Sequence, residues 1–294
     1  MYLRRQVDVV KKAAAAWVDD RAQTMGAALS YYTVFSLAPL LLIAISVAGL
    51  VFGEDAARGA VVRQLQGLIG RAGAQVVEDL LRHAARPAQG TLAALVGVAV
   101  LLVGATSVFS ELQDDLDAIW KAPRRARVSG AWALVRARVL SIGMILAIGF
   151  LMLVSLAASA AFDALGAWAG GWLPGWAVVG QALNVVIGFM LTTALFAAIY
   201  RFLPQARIEW RDVVIGALVT ALLFTAGKSL IGLYIGRSAI ASGFGAAGSL
   251  AVVLAWVYYS AQIFLFGAEF TWAYAHACGS RRDLPPGAPR PPGR

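Results

Sequence analysis

Four carboxylates stand close together in the stretch SELQDDLDAIWKAP, which covers positions 110–123. They are Glu111, Asp114, Asp115 and Asp117. The first three share one face of a helix because they are spaced i, i+3 and i+4. Carboxylate oxygens are ligands for divalent metals, and clusters of this kind serve catalysis in nucleases and prenyl-transfer enzymes. The same spacing is typical of a solvated helix face, here beside the basic residues of 124–127, and we favour that interpretation.

The residues around the cluster predict the end of a helix. Apolar residues continue at helical spacing as far as Trp120, so the helix extends beyond the preceding apolar run. A helix that ended at the cluster would set its carboxylates against the helix dipole, whereas Lys121 near the C-terminus is favourable. Pro123 then stops the helix. We therefore expect Asp117 and Trp120 to organise the neighbouring loops, and we predict no metal site here.

Other residues that commonly carry chemistry are scarce. The single cysteine, Cys278, cannot form an intramolecular disulfide, and the two histidines make no CxxC or HExxH pairing. The stretch GFGAAG at 243–248 matches GxGxxG, but it precedes an apolar run instead of following a strand. We predict no catalytic residue, no metal and no cofactor.

The composition indicates a membrane protein. Of the 294 residues, 60% are hydrophobic and 14% are charged, against about 25% charged in soluble domains. A helix needs ~20 apolar residues to cross a bilayer, and lipid leaves no partner for open backbone groups. The expected fold class is all-α, a polytopic membrane helix bundle in contact with the lipid bilayer. Its six predicted transmembrane helices lie at 27–52, 91–110, 135–162, 176–200, 213–235 and 246–274.

Three segments flank or interrupt the predicted transmembrane domain of 27–276. Residues 1–26 predict an amphipathic helix on the membrane surface. Its apolar side would carry Leu3, Val7, Val10, Ala14 and Trp17. The loop 53–90 predicts two short amphipathic helices with a break near the glycines of 70–73. The tail 277–294 is rich in proline and is expected to be disordered.

Basic residues predict the orientation. Eighteen of the 25 Lys and Arg residues fall on the side of both termini and six on the opposite side, with Lys228 inside a span. Positive residues collect in cytoplasmic loops, so both termini are expected in the cytoplasm. This distribution accounts for the net charge of +9 without a nucleic-acid partner.

Two charged residues lie within the predicted spans, Lys228 and Glu269. A charge at a helix centre costs about 2.5–3.5 kcal/mol on insertion scales, so it usually faces a cavity or a partner. We expect Lys228 to extend outward to the interface. Glu269 lies near the cytoplasmic end of its run, where Arg201, Arg207 or Arg211 could meet it.

Polar residues also line faces of the predicted helices. Gln181 and Asn184 share a face of the fourth, and Gln262 shares a face of the sixth with Glu269. Such faces either hold helices together or line a substrate path. Pro39 removes one hydrogen bond from the first helix and would be a flexing point if a path exists.

Several stretches resemble one family. AALSYYTVFSLAPLLLIAISVAGLVFG (27–53), LDAIWKAP (116–123), YRFLPQARIEWRDVVIGALVTALLF (200–224) and LAWVYYSAQIFLFGAEFTWAY (254–274) are similar to segments of the YihY/virulence factor BrkB membrane proteins. The resemblance covers nearly the whole chain apart from the tail. It implies a bacterial inner-membrane protein with six helices. The motif residues are Tyr31, Tyr32, Pro39, Asp117, Trp120, Tyr200, Pro204, Trp210 and Glu269.

Three functions follow as hypotheses. The first is a transporter or a protein that handles a lipid, another envelope component or a small molecule, for which no ATP site is present in the sequence. The alternative is a membrane scaffold or assembly partner that transports nothing. Some relatives carry a ribonuclease label, which we favour least because RNA cleavage needs metal ligands or a histidine acid–base pair. The sequence predicts neither a substrate nor an oligomeric state.

Overall fold

The computed structural model describes residues 2–84, 107–122, 176–206, 208–237 and 245–282, and these residues form helices without any strand. The all-α fold class is therefore confirmed for this part of the chain. A fourth helix, α4, is described over residues 107–119. The others are α1 (Tyr2–Asp19), α2 (Ala22–Phe52), α3 (Glu54–Ala84), α5 (Trp176–Phe202), α6 (Trp210–Arg237) and α7 (Gly245–Ala277).

Helix α7 is the centre of the packing. It contacts α6, α2, α1 and α3, while α5 packs on α6 and α3 packs on α2. The α6–α7 interface is close because small residues face polar ones: a Cβ at Gly216 would overlap Thr271, and one at Gly267 would overlap Thr220. Small residues let two helix backbones approach, as in helix pairs within membranes.

Three described helices are long and apolar enough to cross a membrane, over Val185–Phe202, Trp210–Lys228 and Leu250–Ala277. They fall in the predicted runs 176–200, 213–235 and 246–274. Large apolar side chains stay exposed on them, for example Met190 at 64% and Leu222 at 62%, which suits contact with lipid. The first run lies within α2. Run 135–162 and most of run 91–110 lie outside the described residues.

The predicted break in the loop 53–90 is wrong. Residues Glu54–Ala84 form one helix that passes through Gly70 and Gly73. A glycine inside a helix costs only about 1 kcal/mol, and packing offsets that cost. Val77 and Leu81 are fully buried in a cluster with Ile45 of α2.

Helix α1 packs on the bundle by a face other than the apolar side that was predicted to lie on the membrane. Val9 and Ala13 are buried against Phe270 and Ala273 of α7. Val7 and Val10, predicted to face the membrane, are 50% and 47% exposed. The Arg5 guanidinium also donates a hydrogen bond to the Ala277 carbonyl at 2.8 Å. The end of α7 therefore provides the surface that α1 covers.

Candidate functional site

A buried carboxyl group lies near one end of α7. Glu269 is 0% exposed and stands eight residues before the last residue of the helix, or about 12 Å along its axis. Neither carboxyl oxygen has a hydrogen-bond donor in the described part of the chain. Burying an ionised carboxylate without a partner costs several kcal/mol, so the charges around Glu269 decide its chemistry.

An ion pair joins two other elements beside Glu269. Lys121, just beyond α4, donates from Nζ to both carboxylate oxygens of Asp20, at 2.9 and 3.1 Å. Asp20 stands in the turn between α1 and α2. Lys121 (φ 49°) and Arg21 (φ 54°) are the two non-glycine residues with left-handed backbone among those described. Such conformations cost about 1–3 kcal/mol each, so surrounding contacts hold both turns in an unfavourable geometry.

The carboxyl groups of Asp20 and Glu269 lie within hydrogen-bonding reach of each other. Within the described residues, Asp20, Lys121 and Asp19 act electrostatically on Glu269. Ionised carboxylates only accept hydrogen bonds, so these two groups can bond only when one of them carries a proton. We refer to Asp20, Lys121 and Glu269 as the charged triad.

Gln262 extends the polar face of α7 from the charged triad toward α2. Its side-chain nitrogen points at the carbonyls of Ala22 and Gln23, at 3.5 and 3.4 Å, while its Oε1 has no donor in the described residues. Gly26 makes room for this amide, because a Cβ there would overlap the Gln262 nitrogen. Gln262 and Glu269 were predicted to share one face of this helix, and Gln262 meets the start of α2.

Tryptophans surround the same end of the bundle. Trp17, Trp120 and Trp272 belong to or pack on one core cluster, and their indole N–H groups are buried without an acceptor in the described part of the chain. Lys121 lies 6.0 Å from the centre of the Trp272 ring, and the Arg281 guanidinium lies 5.2 Å from that of Trp120. Cations over indole rings are stabilised by the ring quadrupole. Unpaired donors and unpaired acceptors therefore occur together in one aromatic-lined region.

The acidic cluster on α4 divides into separate environments. Asp115 is 6% exposed, and burial, with Glu111 and Asp114 beside it, raises its pKa to about 7. Burial, then Asp114, also raises the pKa of Glu111. Asp117 instead accepts hydrogen bonds from Gln205. Within the described residues no three His, Cys, Asp or Glu side chains come together as a metal site.

Arg201 is one of three arginines that were predicted as alternative partners of Glu269, and it is held elsewhere, while Arg211 at the start of α6 is exposed. The Arg201 guanidinium donates to the Ile208 carbonyl and lies 5.7 Å from the centre of the Trp210 ring. Both partners belong to the chain just after α5, so the short connection to α6 holds this arginine locally. Arg207 is outside the described residues.

Five other predicted site residues are not members of the charged triad. Lys228 ends the apolar span of α6 and is exposed, as expected for a side chain that extends outward. Pro39 lies in α2, and Gln181 and Asn184 lie in α5. The positions of these last three side chains are outside what the structure describes. Trp120 is 1% exposed in the main core cluster.

Asp20 is the functional candidate that sequence reasoning missed. It lies 101 residues from Lys121 and 249 from Glu269, and no periodic pattern links positions so far apart. One signal was present: the stretch DDR at 19–21 interrupts the apolar spacing of the first helix directly before a span. A second missed contact is Asp212, 2% exposed, which accepts hydrogen bonds from Ser280 N–H and Oγ at 3.1 and 2.6 Å.

Similar proteins are membrane proteins of bacteria. The chain is 28% identical to a UPF0761 membrane protein of Pseudomonas paraeruginosa over 95% of its length and 66% of the relative's. It is 29% identical to one of Alcanivorax borkumensis, over 91% of the chain and 60% of the relative. It is 30% identical to one of Verminephrobacter eiseniae, over 85% of the chain and 59% of the relative. The chain thus spans no more than two thirds of these relatives.

No solved structure matches the chain. The Virulence factor BrkB family matches residues 13–291. Because this match covers most of the 294 residues, the chain is a membrane protein that belongs to the Virulence factor BrkB family.

Proposed function

We propose that the chain is a multi-pass protein of the bacterial inner membrane that moves a lipid or another envelope component between the two sides of the bilayer. Both termini and the charged triad lie on the cytoplasmic side in this proposal, as the basic residues predict. The observation that carries it is the buried Glu269 in an apolar helix, whose carboxyl oxygens have no hydrogen-bond donor among the described residues. An ionisable residue in such a position is expensive to keep and usually belongs to a transport or proton path.

The surroundings of Glu269 favour a role in a conformational change over a purely structural role. A carboxyl that served only packing would be satisfied by donors, as buried polar groups generally are. Glu269 instead faces a second carboxyl, Asp20, whose cation is Lys121. Two strained turns, at Arg21 and Lys121, adjoin this contact. Strain of this kind is often found at switch regions.

The test is lipid movement in reconstituted vesicles. The protein is inserted into liposomes of phosphatidylethanolamine and phosphatidylglycerol that carry an NBD-labelled phosphatidylethanolamine, and dithionite quenches the probe in the outer leaflet. We expect the protein to make inner-leaflet probe accessible, and Glu269→Gln to slow this at least tenfold. Glu54→Gln is the matched control, since Glu54 is exposed on α3. Equal rates for the wild type and Glu269→Gln would overturn the role of Glu269. Rates equal to those of empty liposomes would overturn lipid as the substrate.

A scaffold function is the second candidate, and one surface favours it. Tyr31, Tyr32 and Phe35 form an aromatic row on α2 with exposures of 59%, 38% and 64%. Their rings contact one another, with centroids 5.7 and 4.7 Å apart. Aromatic side chains are enriched at protein interfaces. A photo-crosslinker at Phe35 would capture one protein at fixed stoichiometry if this row binds a partner, and crosslinks only to lipid would contradict it.

Ribonuclease activity is not part of the proposal. Asp117 is engaged by Gln205, and Glu111, Asp114 and Asp115 remain as the candidate ligands. A nuclease that used them would cleave RNA in a magnesium-dependent reaction lost in the Asp114→Asn/Asp115→Asn variant. We expect no such metal-dependent difference between the purified wild type and this variant.

A further inference from the structure

The charges of the triad do not balance. Lys121 supplies one positive charge and is bound through both oxygens to Asp20. Ionised Asp20 and Glu269 would supply two negative charges within hydrogen-bonding reach of each other. Asp19 adds a third carboxylate nearby, although it is exposed to solvent. Among the described residues, one negative charge is therefore left without a cation at a position that is 0% exposed.

Several cations of the neighbouring elements, within the described part of the chain, are engaged elsewhere. On α1, Arg5 donates to the Ala277 carbonyl. On α5, Arg201 is held by the Ile208 carbonyl. On α3, Arg58 and Arg82 pair with Glu54 and Glu78. After α7, Arg281 lies over the ring of Trp120.

The remaining charged groups nearby do not alter this balance. Arg21, at the start of α2, is exposed. On α6, the carboxylate of Asp212 is bound by Ser280. On α7 itself, the imidazole of His276 contacts the Trp272 carbonyl at 2.9 Å.

We propose that Asp20 and Glu269 together bind one proton, and that this proton is the coupling ion of the transport activity. The proposal rests on the proposed function above and names its energy source. The proton forms an O–H bond on Glu269 and is donated as a hydrogen bond to Asp20, which keeps its two bonds from Lys121. The triad is then neutral overall, and the buried Glu269 is no longer an unpaired charge.

Release of the proton couples to movement. The O–H bond of Glu269 breaks, the proton passes to water, and two carboxylates face each other with one cation, which is bound to Asp20. Repulsion between them disfavours the packed arrangement, because like charges in a poorly solvated site repel strongly. Asp20 stands in a short turn beside the left-handed Arg21, and Lys121 stands in another and is itself left-handed, so both can move away from α7 without unwinding a helix. The α1–α2 turn and the end of α4 are therefore the parts that respond to the proton.

A proton suits this site better than a metal ion. Among the described residues, no third His, Cys or acidic ligand completes a metal site, and Ca²⁺ and Mg²⁺ take six or more oxygen ligands. The shared-proton arrangement needs only the two carboxyl groups, since like-charged carboxylates in one site cannot both ionise easily. Sodium remains a distinguishable outcome of the test.

The test is infrared difference spectroscopy of the reconstituted full chain during a pH titration. A protonated carboxylic acid shows a carbonyl band that an ionised carboxylate lacks. We expect a band that is lost in Glu269→Gln, kept in Glu269→Asp and shifted in Asp20→Asn, where its acceptor has no charge. Asp115→Asn is the control. Asp115 contributes its own carbonyl band, and its substitution must leave the band of Glu269 in place.

The outcomes separate this proposal from the proposed function. The proton site is overturned if no band depends on both Glu269 and Asp20, even when Glu269→Gln still stops lipid movement. The proton site is also overturned if added sodium at constant pH removes the band, because sodium would then displace the proton from the two carboxyl groups. The coupling role is overturned if the band is present but a pH gradient leaves the rate of lipid movement in the vesicles unchanged.

Discussion

Asp117 of α4 accepts two hydrogen bonds from a single residue, Gln205. The Gln205 backbone N–H donates to Oδ1 at 2.7 Å, and its side-chain Nε2 donates to Oδ2 at 2.9 Å. The two residues are 88 positions apart, so this contact fixes α4 against the loop between α5 and α6. Burial raises the pKa of Asp117, and the two bonds from Gln205 act in the opposite direction. The sequence expectation that Asp117 organises loops agrees with this contact.

Asp117→Asn should destabilise the protein by about 1–3 kcal/mol, since one of two donors from Gln205 loses its acceptor. The new amide would also present N–H groups to another donor. Thermal unfolding in detergent micelles measures the loss. Asp114→Asn is the matched control because Asp114 is exposed on the same helix. Identical midpoints for the two variants would show that the Gln205 contact contributes nothing to stability.

The α6–α7 interface makes a second prediction. A Cβ on Gly267 would overlap Thr220 Oγ1 and come within 2.6 Å of the Tyr200 hydroxyl, which donates to the Phe264 carbonyl at 2.7 Å. Gly267→Ala should therefore cost about 1–3 kcal/mol, as overpacking does. Gly188→Ala is the control: nothing lies within 4 Å of its Cβ position, and alanine favours a helix. Equal or higher stability of Gly267→Ala in the same melting assay would contradict a tight interface.

Apolar length and helical period were enough to predict much of the fold. The run 176–200 became helix Trp176–Phe202, and 246–274 became Gly245–Ala277. Both signals are local, because a helix satisfies its own backbone within one segment. The prediction for the loop 53–90 failed because a tertiary contact outweighed a local rule. Two glycines predicted a break, but the buried Val77 and Leu81 keep α3 continuous.

Partners in the candidate site could not be predicted in the same way. Periodicity placed Gln262 and Glu269 on one face of α7. Periodicity carries no information on which element that face meets. The arginines near the ends of α5 and α6 were therefore predicted as partners of Glu269 only because they lie at a similar depth in the membrane. The actual neighbours, Asp20 and Lys121, lie in turns. The sequence of a turn is not periodic. A lysine in the sequence also gives no sign that its backbone will be left-handed, as it is at Lys121 (φ 49°).

Asp115 predicts a pH dependence of stability. Its pKa is raised from 3.8 to about 7 in the folded protein, chiefly by burial. Below pH 3.8 both folded and unfolded chains hold the proton; between there and about pH 7 only the folded chain does. Stability should therefore fall as pH rises through this window and level off above it. Asp115→Asn should flatten this part of the profile of melting midpoint against pH.

Asp8→Asn controls for the loss of one acidic residue, because Asp8 is exposed on α1. It should retain the slope of the wild type between pH 4 and pH 7, the window set by the Asp115 values of 3.8 and about 7. An Asp115→Asn profile as steep as that of Asp8→Asn would show that another group carries the dependence.

The charged triad predicts that the coupling free energy between Lys121 and Glu269 grows with pH. Lys121→Met removes the cation from two carboxylates, whereas in a Glu269→Gln background it removes the cation from Asp20 alone. The four proteins form a double-mutant cycle, and directly interacting residues usually give a coupling energy of about 0.5–3 kcal/mol. We expect a value near the low end at acid pH, where Glu269 holds its proton and responds weakly to Lys121. At alkaline pH Glu269 is ionised, so loss of Lys121 should be most costly when Glu269 is present. Additive effects on the melting free energy at both pH values would show that Lys121 does not act on Glu269.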